Sequence, residues 1–244
     1  DIDNILAIQS HYGLQITAKP FPIILSKPES FVLNYPYFVS TLERLSKLKS
    51  KLFIIYDESQ SIQNDVDVNL DSKPILSDKE WGYLLANINN LTQLCTNFGI
   101  SLCYYPQIGT TIQNSKEIKY LLDNTSAEKL SLCFDSGHLL YAGIDPNWFL
   151  DEYFTRISHV HLRDVKKSVS SYGHRLSYLD AIEKGIFATP GEGMIPFSNI
   201  TKKLRQNQYP GWTIINNYID TTNTNTLFEK VKSSYRFAQK LTGK

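Results

Sequence analysis

The sequence predicts an α/β fold, a (β/α)8 barrel in which parallel strands alternate with helices. Along the 244 residues, short apolar or β-branched runs alternate with longer stretches of helical period, which is the pattern of βα units. An open, doubly wound sheet shows the same alternation, but it carries a Gly-rich turn when it binds nucleotides. The chain has neither a GxGxxG turn nor a phosphate loop. Residues 1–244 are therefore predicted to form one barrel domain.

The apolar runs and the capping residues between them predict the individual elements. Six strands are expected, at residues 14–18, 52–56, 100–105, 130–135, 158–162 and 212–217. Ser77 and Glu80 form a capping box at the start of a helix, and Asn114 with Glu117 repeats the arrangement. Pro146 stands in the first turn of a further helix, where its missing N–H costs nothing.

Composition excludes several classes of partner. With 42% hydrophobic and 20% charged residues, the chain is typical of globular proteins. The net charge is +1 and the basic residues are scattered, so no nucleic-acid partner is expected. No apolar run reaches the roughly 20 residues of a membrane helix, so no membrane partner is expected either. Three cysteines without paired spacing argue against disulfides and favour a cytoplasmic location.

Polar residues at the ends of two predicted strands are the first candidates for a functional site, because these ends face the barrel mouth. Asp135 closes an apolar strand, and Gly137 is expected to allow a sharp turn that brings His138 towards the opening. On the next strand His159 and His161 alternate with aliphatic residues, so both imidazoles are expected to face the lumen. Such ligands suit Mn, Co, Zn or Fe(II). The alternative is a turn-capping aspartate beside core histidines.

Two long polar segments, 60–74 and 166–196, are predicted to be surface loops at the mouth. The second segment carries Glu192 between two glycines, either as a base or as an ordinary loop carboxylate. A cation near Asp135 would stabilise the enediolate that forms when a carbon next to a sugar carbonyl loses its proton. Isomerisation, epimerisation and dehydration share that step.

Several segments resemble the inosose dehydratase family of the xylose-isomerase-like superfamily, which includes sugar phosphate isomerases and epimerases. They are YYPQIGTTIQ (104–113), FDSGHLLYAG (134–143), HVHLRDV (159–165), PGEG (190–193) and GWTII (211–215). The resemblance covers most of the chain. It implies a xylose-isomerase-like barrel and a lyase of myo-inositol catabolism, which takes a proton next to the carbonyl of a keto-inositol or related sugar and then releases water. Against the eight units of that barrel, one or two N-terminal βα units are expected to be missing from the sequence.

The resemblance also implies the site residues. A divalent metal, Mn or Co, is assigned to Asp135 and His161, with Asn216 as a weak third ligand. Substrate contacts are assigned to Tyr105, His138 and Arg163. The sequence departs from the family pattern at the two outer ligand positions, where Tyr105 replaces a histidine and Asn216 replaces a glutamate. Loss of the metal is therefore an open alternative, because fewer anionic ligands remain than catalytic divalent sites usually have.

Three functions follow from these patterns. The first is an enzyme, either the lyase or a sugar isomerase or epimerase of the same superfamily, acting on a small polyol or ketose. The second is a sugar-binding pseudoenzyme, which the departures at Tyr105 and Asn216 favour. The third, an endonuclease of the same superfamily, is disfavoured because basic residues do not cluster. Association into a homo-oligomer stays open.

Overall fold

The computed structural model describes residues 2–216 and 224–242. Its strands are β1 (Pro20–Ile23), β2 (Leu52–Asp57), β3 (Ser101–Tyr104), β4 (Ser131–Asp135), β5 (Ile157–Leu162), β6 (Asp164–Val165), β7 (Phe187–Ala188) and β8 (Trp212–Ile215). Its helices are α1 (Ile2–Tyr12), α2 (Ser30–Lys47), α3 (Asp78–Asn97), α4 (Ser115–Asp123), α5 (Ser136–Tyr141), α6 (Pro146–Tyr153), α7 (Lys167–Ser170), α8 (Tyr178–Glu183), α9 (Phe197–Gln206) and α10 (Thr224–Thr242).

Six strands form one parallel sheet in the order β1-β2-β3-β4-β5-β8. Helices connect successive strands, so the carboxyl ends of all six strands meet at the same end of the sheet, as in βα barrels. Beyond the end of β5 the chain adds a small antiparallel pair, β6 with β7. The prediction of alternating βα units is confirmed.

The first predicted strand was wrong. Residues 14–18 are irregular, and the strand is instead Pro20–Ile23, which contains two prolines. The Ile23 carbonyl accepts a hydrogen bond from the Glu58 N–H at 2.9 Å, so Phe21 and Ile23 turn their backbone towards β2. Pro20 and Pro22 then turn theirs away from β2, where a missing N–H is tolerated.

The helix predictions are confirmed. The capping box of Ser77 and Glu80 begins α3, and the box of Asn114 and Glu117 begins α4. Pro146 is the first residue of α6. After α3 the chain turns at Gly99, whose φ of 64° is a conformation that glycine adopts without strain.

Buried side chains form two groups, one on each side of the sheet. The larger group fills the space between the sheet and the helices. The smaller group lies in the lumen and consists of Ile54, Cys103, Tyr105 and Cys133. Cys95, Cys103 and Cys133 are all buried free thiols.

The two long polar segments meet at the mouth. Segment 60–74 contains a short 3-10 turn, and segment 166–196 contains α7, α8 and β7, so the second is more ordered than a surface loop. The Leu70 N–H donates to the Leu176 carbonyl at 3.0 Å, and Asn69 forms a β-bridge with Ser177. Within 2–216 and 224–242, no helix combines the length and apolar character that crossing a bilayer requires.

Candidate functional site

Asp135 is fixed by the turn between β4 and α5. One of its oxygens, Oδ1, accepts hydrogen bonds from the N–H groups of Gly137 and His138, each at 3.0 Å. Asp135 therefore caps α5. The expected turn that brings His138 into the site is present, and Gly137 lies within it; its φ is not positive, but a Cβ on Gly137 would lie 2.6 Å from the side chain of Arg163. Glycine at this position makes room for Arg163 against the turn.

The other oxygen of Asp135, Oδ2, is surrounded by side chains of neighbouring strands. The Tyr105 hydroxyl donates to it at 2.5 Å and the Arg163 Nε donates at 3.0 Å. Nδ1 of His161 lies 3.4 Å away. Burial by itself would raise the pKa of Asp135, but the adjacent Arg163 guanidinium and the histidine hydrogen bond hold that pKa well below its usual value. The carboxylate is therefore charged at neutral pH.

Arg163 is held on three sides. Its N–H donates to the Ser136 hydroxyl at 2.9 Å, and that hydroxyl donates to the Arg163 carbonyl at 2.7 Å. The guanidinium carbon lies 4.6 Å from the centre of the Phe187 ring, within cation–π range. Although burial opposes the charged form, the Asp135 carboxylate raises the pKa of Arg163. The pair is a buried, charged ion pair.

His138 is enclosed by aromatic rings. Its ring centre lies 5.6 Å from that of Tyr105, 5.1 Å from that of Phe187 and 6.4 Å from that of Tyr178, with which it stacks. Its Nδ1 accepts the Ile108 N–H at 3.3 Å, so in the neutral ring the proton is on Nε2. Burial lowers the pKa of His138 to about 3. His138 is therefore a neutral hydrogen-bond donor.

The prediction that His159 and His161 share the lumen face is confirmed, because their rings lie 5.0 Å apart while Val160 and Leu162 pack in the outer core. Nδ1 of His161 lies 3.3 Å from the Tyr105 hydroxyl. His159 lies deeper, and neither of its ring nitrogens has a partner in the described part of the chain. Burial lowers the pKa of His159 to about 4.

The structure brings Tyr105 and Asn216 to the same cluster. Burial and the charge of Asp135 raise the pKa of Tyr105 well above its usual value, so the hydroxyl is a neutral donor. Asn216 follows β8, and its Nδ2 lies 3.4 Å from Nδ1 of His161. The two residues that follow it in the sequence, Asn217 and Tyr218, lie outside the described residues.

Glu192 lies on a loop at the edge of the mouth, apart from the cluster around Asp135. Its side chain is exposed, and its Oε1 accepts a hydrogen bond from Ser233 of α10 at 3.4 Å. The loop itself is held by Asp164, which accepts hydrogen bonds from the N–H groups of Gly191 and Gly193 at 2.9 and 2.8 Å. Its assignment as a base stays a prediction.

Three residues of the site were not predicted from the sequence. Phe187 and Tyr178 enclose His138, and Ser136 positions the backbone of Arg163. Ser136 could have been found, because it lies beside Asp135 in the resembling segment. The two aromatic residues carry no such signal, because they lie in segment 166–196, whose path over the mouth is a tertiary feature.

The donor set does not fit a divalent metal. Each oxygen of Asp135 already accepts two hydrogen bonds. One of the two donors to Oδ2 is the guanidinium of Arg163. Within residues 2–216 and 224–242, no group of three His, Cys, Asp or Glu side chains is placed to hold a metal ion. Catalytic metals of the Mn or Co type are usually bound by three or more such ligands.

Residues 1–240 match the family described as xylose isomerase-like TIM barrel, and the chain belongs to this family. The predicted fold class is thus confirmed. The chain is also similar to the inosose dehydratase of Bacillus cereus (strain AH820). The two are 32% identical over 209 residues, which cover 84% of this chain and 70% of that protein. This similarity indicates that the chain is an enzyme of the xylose-isomerase-like superfamily. It also confirms the resemblance to inosose dehydratases that the sequence showed.

Solved structures agree with this fold. The probable 3-DHS dehydratase AsbF of Bacillus anthracis superposes with a TM-score of 0.74 at 14% identity, covering 94% of this chain and 79% of that one. A D-psicose 3-epimerase superposes with the same TM-score of 0.74 at 14% identity, covering 100% of this chain and 84% of the other. At this identity the two superpositions establish the shared barrel architecture.

Proposed function

We propose that the chain is a dehydratase-like lyase whose substrate is a keto-inositol or a related keto-sugar. The observation that carries the proposal is the buried cluster of Asp135, Arg163, His161 and Tyr105 at the carboxyl ends of the strands. It occurs in a chain whose curated relative is an inosose dehydratase. Active sites of this fold lie at that end of the barrel. We further propose that residues 1–244 form one domain and that the protein acts in the cytoplasm, alone or as a homo-oligomer.

The reaction converts a β-hydroxy ketone into an unsaturated ketone and water. A base removes the proton from the carbon next to the carbonyl, and electron density moves to the carbonyl oxygen. The electron pair then forms the new C=C bond as the β C–O bond breaks, and the leaving hydroxyl takes a proton from a general acid, such as the protonated base, to form water. Arg163 is charged and sits beside the mouth, so its guanidinium can stabilise the developing enolate oxygen. His138 can donate its Nε2 proton in a hydrogen bond to a substrate hydroxyl, and we propose that Tyr105, whose ring centre lies 5.6 Å from that of His138, also contacts the substrate.

Two residues are candidates for the base. Glu192 is exposed at the edge of the mouth, and His161 lies within the cluster. Replacing each in turn separates them, because loss of the base reduces turnover without abolishing substrate binding. We expect His161→Gln or Glu192→Gln, but not both, to lower kcat by about 100-fold or more.

The test of the proposed function is conversion of 2-keto-myo-inositol, followed by NMR in deuterated water with simple ketoses as comparison substrates. A dehydratase forms an unsaturated ketone. An isomerase or epimerase only exchanges the proton next to the carbonyl or yields a new sugar. Arg163→Gln should lose this turnover, whereas Arg175→Gln, an exposed arginine, should retain it. Binding of the inosose without turnover or proton exchange would refute the lyase and favour the sugar-binding alternative.

A further inference from the structure

The site around Asp135 carries its own positive charge. In a divalent metal site, the anionic ligands face an ion that needs their oxygen lone pairs. Here both oxygens of Asp135 already accept hydrogen bonds from the protein, and the Nε of Arg163 is one of the donors at 3.0 Å. A cation that approached Oδ2 would displace this guanidinium or lie against it. The positive charges of the cation and of the guanidinium would then lie a few ångström apart, where they repel strongly because the site is buried.

Neither Tyr105 nor Asn216, the two positions that depart from the family pattern, adds a carboxylate to the cluster. The Tyr105 hydroxyl donates a hydrogen bond to Oδ2 of Asp135 at 2.5 Å, so it acts as a donor towards the carboxylate and not as a second anion. The side chain of Asn216 is neutral and lies 3.4 Å from His161. The negative charge of Asp135 is balanced by the guanidinium of Arg163, which lies 3.0 Å from it. A divalent ion would bring a net charge of +2 into a buried site, at a large desolvation cost.

Several contacts hold Arg163 in this position. Gly137 leaves the space that its side chain fills, and Phe187 covers its guanidinium at 4.6 Å. Ser136 exchanges two hydrogen bonds with its backbone. The guanidinium is therefore held in the site by residues of two different elements, α5 and β7.

We propose that this site works without a divalent metal and that Arg163 supplies the positive charge that such a metal would bring. The inference rests on the proposed function for the location of the site, but not on turnover. It assigns to Arg163 the recognition of a carbonyl or deprotonated hydroxyl oxygen of the ligand, because a guanidinium binds such oxygens by charge-assisted hydrogen bonds.

The first experiment measures bound metal directly. Purified protein is stripped with EDTA, incubated with Mn²⁺ or Co²⁺ and separated from free ion, and bound metal is then measured by elemental analysis. We expect no stoichiometric metal in the wild type. A stoichiometric ion that is lost both in Asp135→Asn and in His161→Ala, but kept in His174→Ala, would overturn the proposal. Any ion that those two site variants retain lies elsewhere and leaves the proposal standing. His174 is a matched control because it lies 3.8 Å from Asp71, outside the site.

The second experiment tests whether the guanidinium of Arg163, and not a metal ion, binds the ligand. Calorimetric titration of 2-keto-myo-inositol into EDTA-treated protein should give the same Kd with and without Mn²⁺. Arg163→Gln should weaken binding at least about 10-fold, since a charge-assisted hydrogen bond contributes about 1.5–3 kcal/mol. Binding that appears only with Mn²⁺ would overturn the proposal. Binding to neither form, with metal-free protein in the first experiment, would contradict the proposed substrate and leave the metal inference intact.

A gain-of-ligand variant checks the reasoning from the donor set. Tyr105→His combined with Asn216→Glu introduces one imidazole and one carboxylate beside Asp135 and His161. Because the added carboxylate also offsets one of the two positive charges of the ion, this variant should bind Mn²⁺ more tightly than the wild type by at least about tenfold. Equal stoichiometric binding by the wild type would contradict the inference.

Discussion

The carboxylates of Asp135 and Asp164 are both fully buried near the carboxyl end of β5, but their partners differ in kind. Within residues 2–216 and 224–242, Asp164 accepts hydrogen bonds only from backbone N–H groups, those of Val165, Gly191, Gly193 and Ile195, at 2.8 to 3.0 Å. Asp135 accepts two backbone hydrogen bonds and adds the Tyr105 hydroxyl and the Arg163 guanidinium. The first arrangement holds a loop in place. The second holds a buried pair of opposite charges, Asp135 and Arg163.

Replacing one member of the charge pair should have the largest effect on stability. Asp135→Asn leaves the Arg163 guanidinium buried without its counter-charge, so the free energy of unfolding should fall by about 3–5 kcal/mol. Urea denaturation measures the change. The matched control is the double variant Asp135→Asn/Arg163→Gln, which removes both charges and should recover part of the loss. A single variant within about 1 kcal/mol of wild type would contradict the ion pair.

Replacing the loop-holding carboxylate should cost less. Asp164→Asn keeps one acceptor oxygen but turns an NH2 group towards backbone N–H donors, which should lower the free energy of unfolding by about 2–3 kcal/mol. The loss should be local, so hydrogen exchange at Gly191 and Gly193 should speed up more than exchange in the sheet. Asp67→Asn, at an exposed aspartate, is the control and should change neither quantity. Uniform exchange in Asp164→Asn would argue against its role in the loop.

Acid should destabilise the protein through its buried histidines. Burial lowers the pKa of His138 to about 3 and that of His159 to about 4, whereas both titrate near 6.5 in the unfolded chain. Below pH 6.5 the unfolded chain therefore binds more protons, so stability falls as the pH decreases. Between pH 6.5 and 5, each histidine should cost about 2 kcal/mol.

The stability of wild type and His159→Phe at several pH values tests this expectation. In the variant, the contribution of these two histidines to the slope of unfolding free energy against pH should fall by about half. Only His138 is then left to take up a proton on unfolding. His11→Gln, at an exposed histidine of α1, should keep the wild-type slope. If His159→Phe leaves the slope unchanged, the folded protein must stabilise the charged, doubly protonated form of His159, which would contradict the expectation.

The smallest effect is expected at the hydroxyl of Tyr105. Tyr105→Phe removes one donor to Asp135 but leaves Arg163 and two backbone N–H groups, so the loss should be about 1 kcal/mol. Tyr172→Phe, at a tyrosine that is 47% exposed, provides the comparison and should be neutral. If Tyr105 contacts the substrate, Tyr105→Phe should also weaken inosose binding. A loss as large as that of Asp135→Asn would mean that Tyr105 supports more than one hydrogen bond.

Sequence patterns predicted the parts of the fold that depend on local chemistry. The capping boxes at Ser77 and Asn114 identified two helix starts, and the alternation around His159 identified a strand with a polar lumen face. The strand Pro20–Ile23 was missed because two prolines argue against a strand. They are tolerated here because β1 pairs through alternate residues, which depends on the tertiary arrangement.

The sequence predicted which residues lie together at the candidate site, but it did not predict the contacts between them. Asp135, His138, His161 and Arg163 were all assigned from the sequence, and the structure gathers them. Their ion pair was not predicted, because Asp135 and Arg163 meet only when β4 and β5 are paired and Gly137 leaves room. For the same reason, sequence could not show that Asp164 holds the loop carrying Glu192.

Because the three thiols are buried, the rate at which they are alkylated can be used to measure how often the protein opens. Burial raises the pKa of Cys95 to about 12 and that of Cys103 to about 11, and it raises that of Cys133 as well. Alkylating reagents react with thiolates, so the folded protein should resist them until a thiol becomes exposed. Because Cys103 and Cys133 lie in the lumen below the site, their alkylation rate follows the opening of the barrel interior. A ligand bound at the mouth should slow that rate by the factor by which it stabilises the closed form.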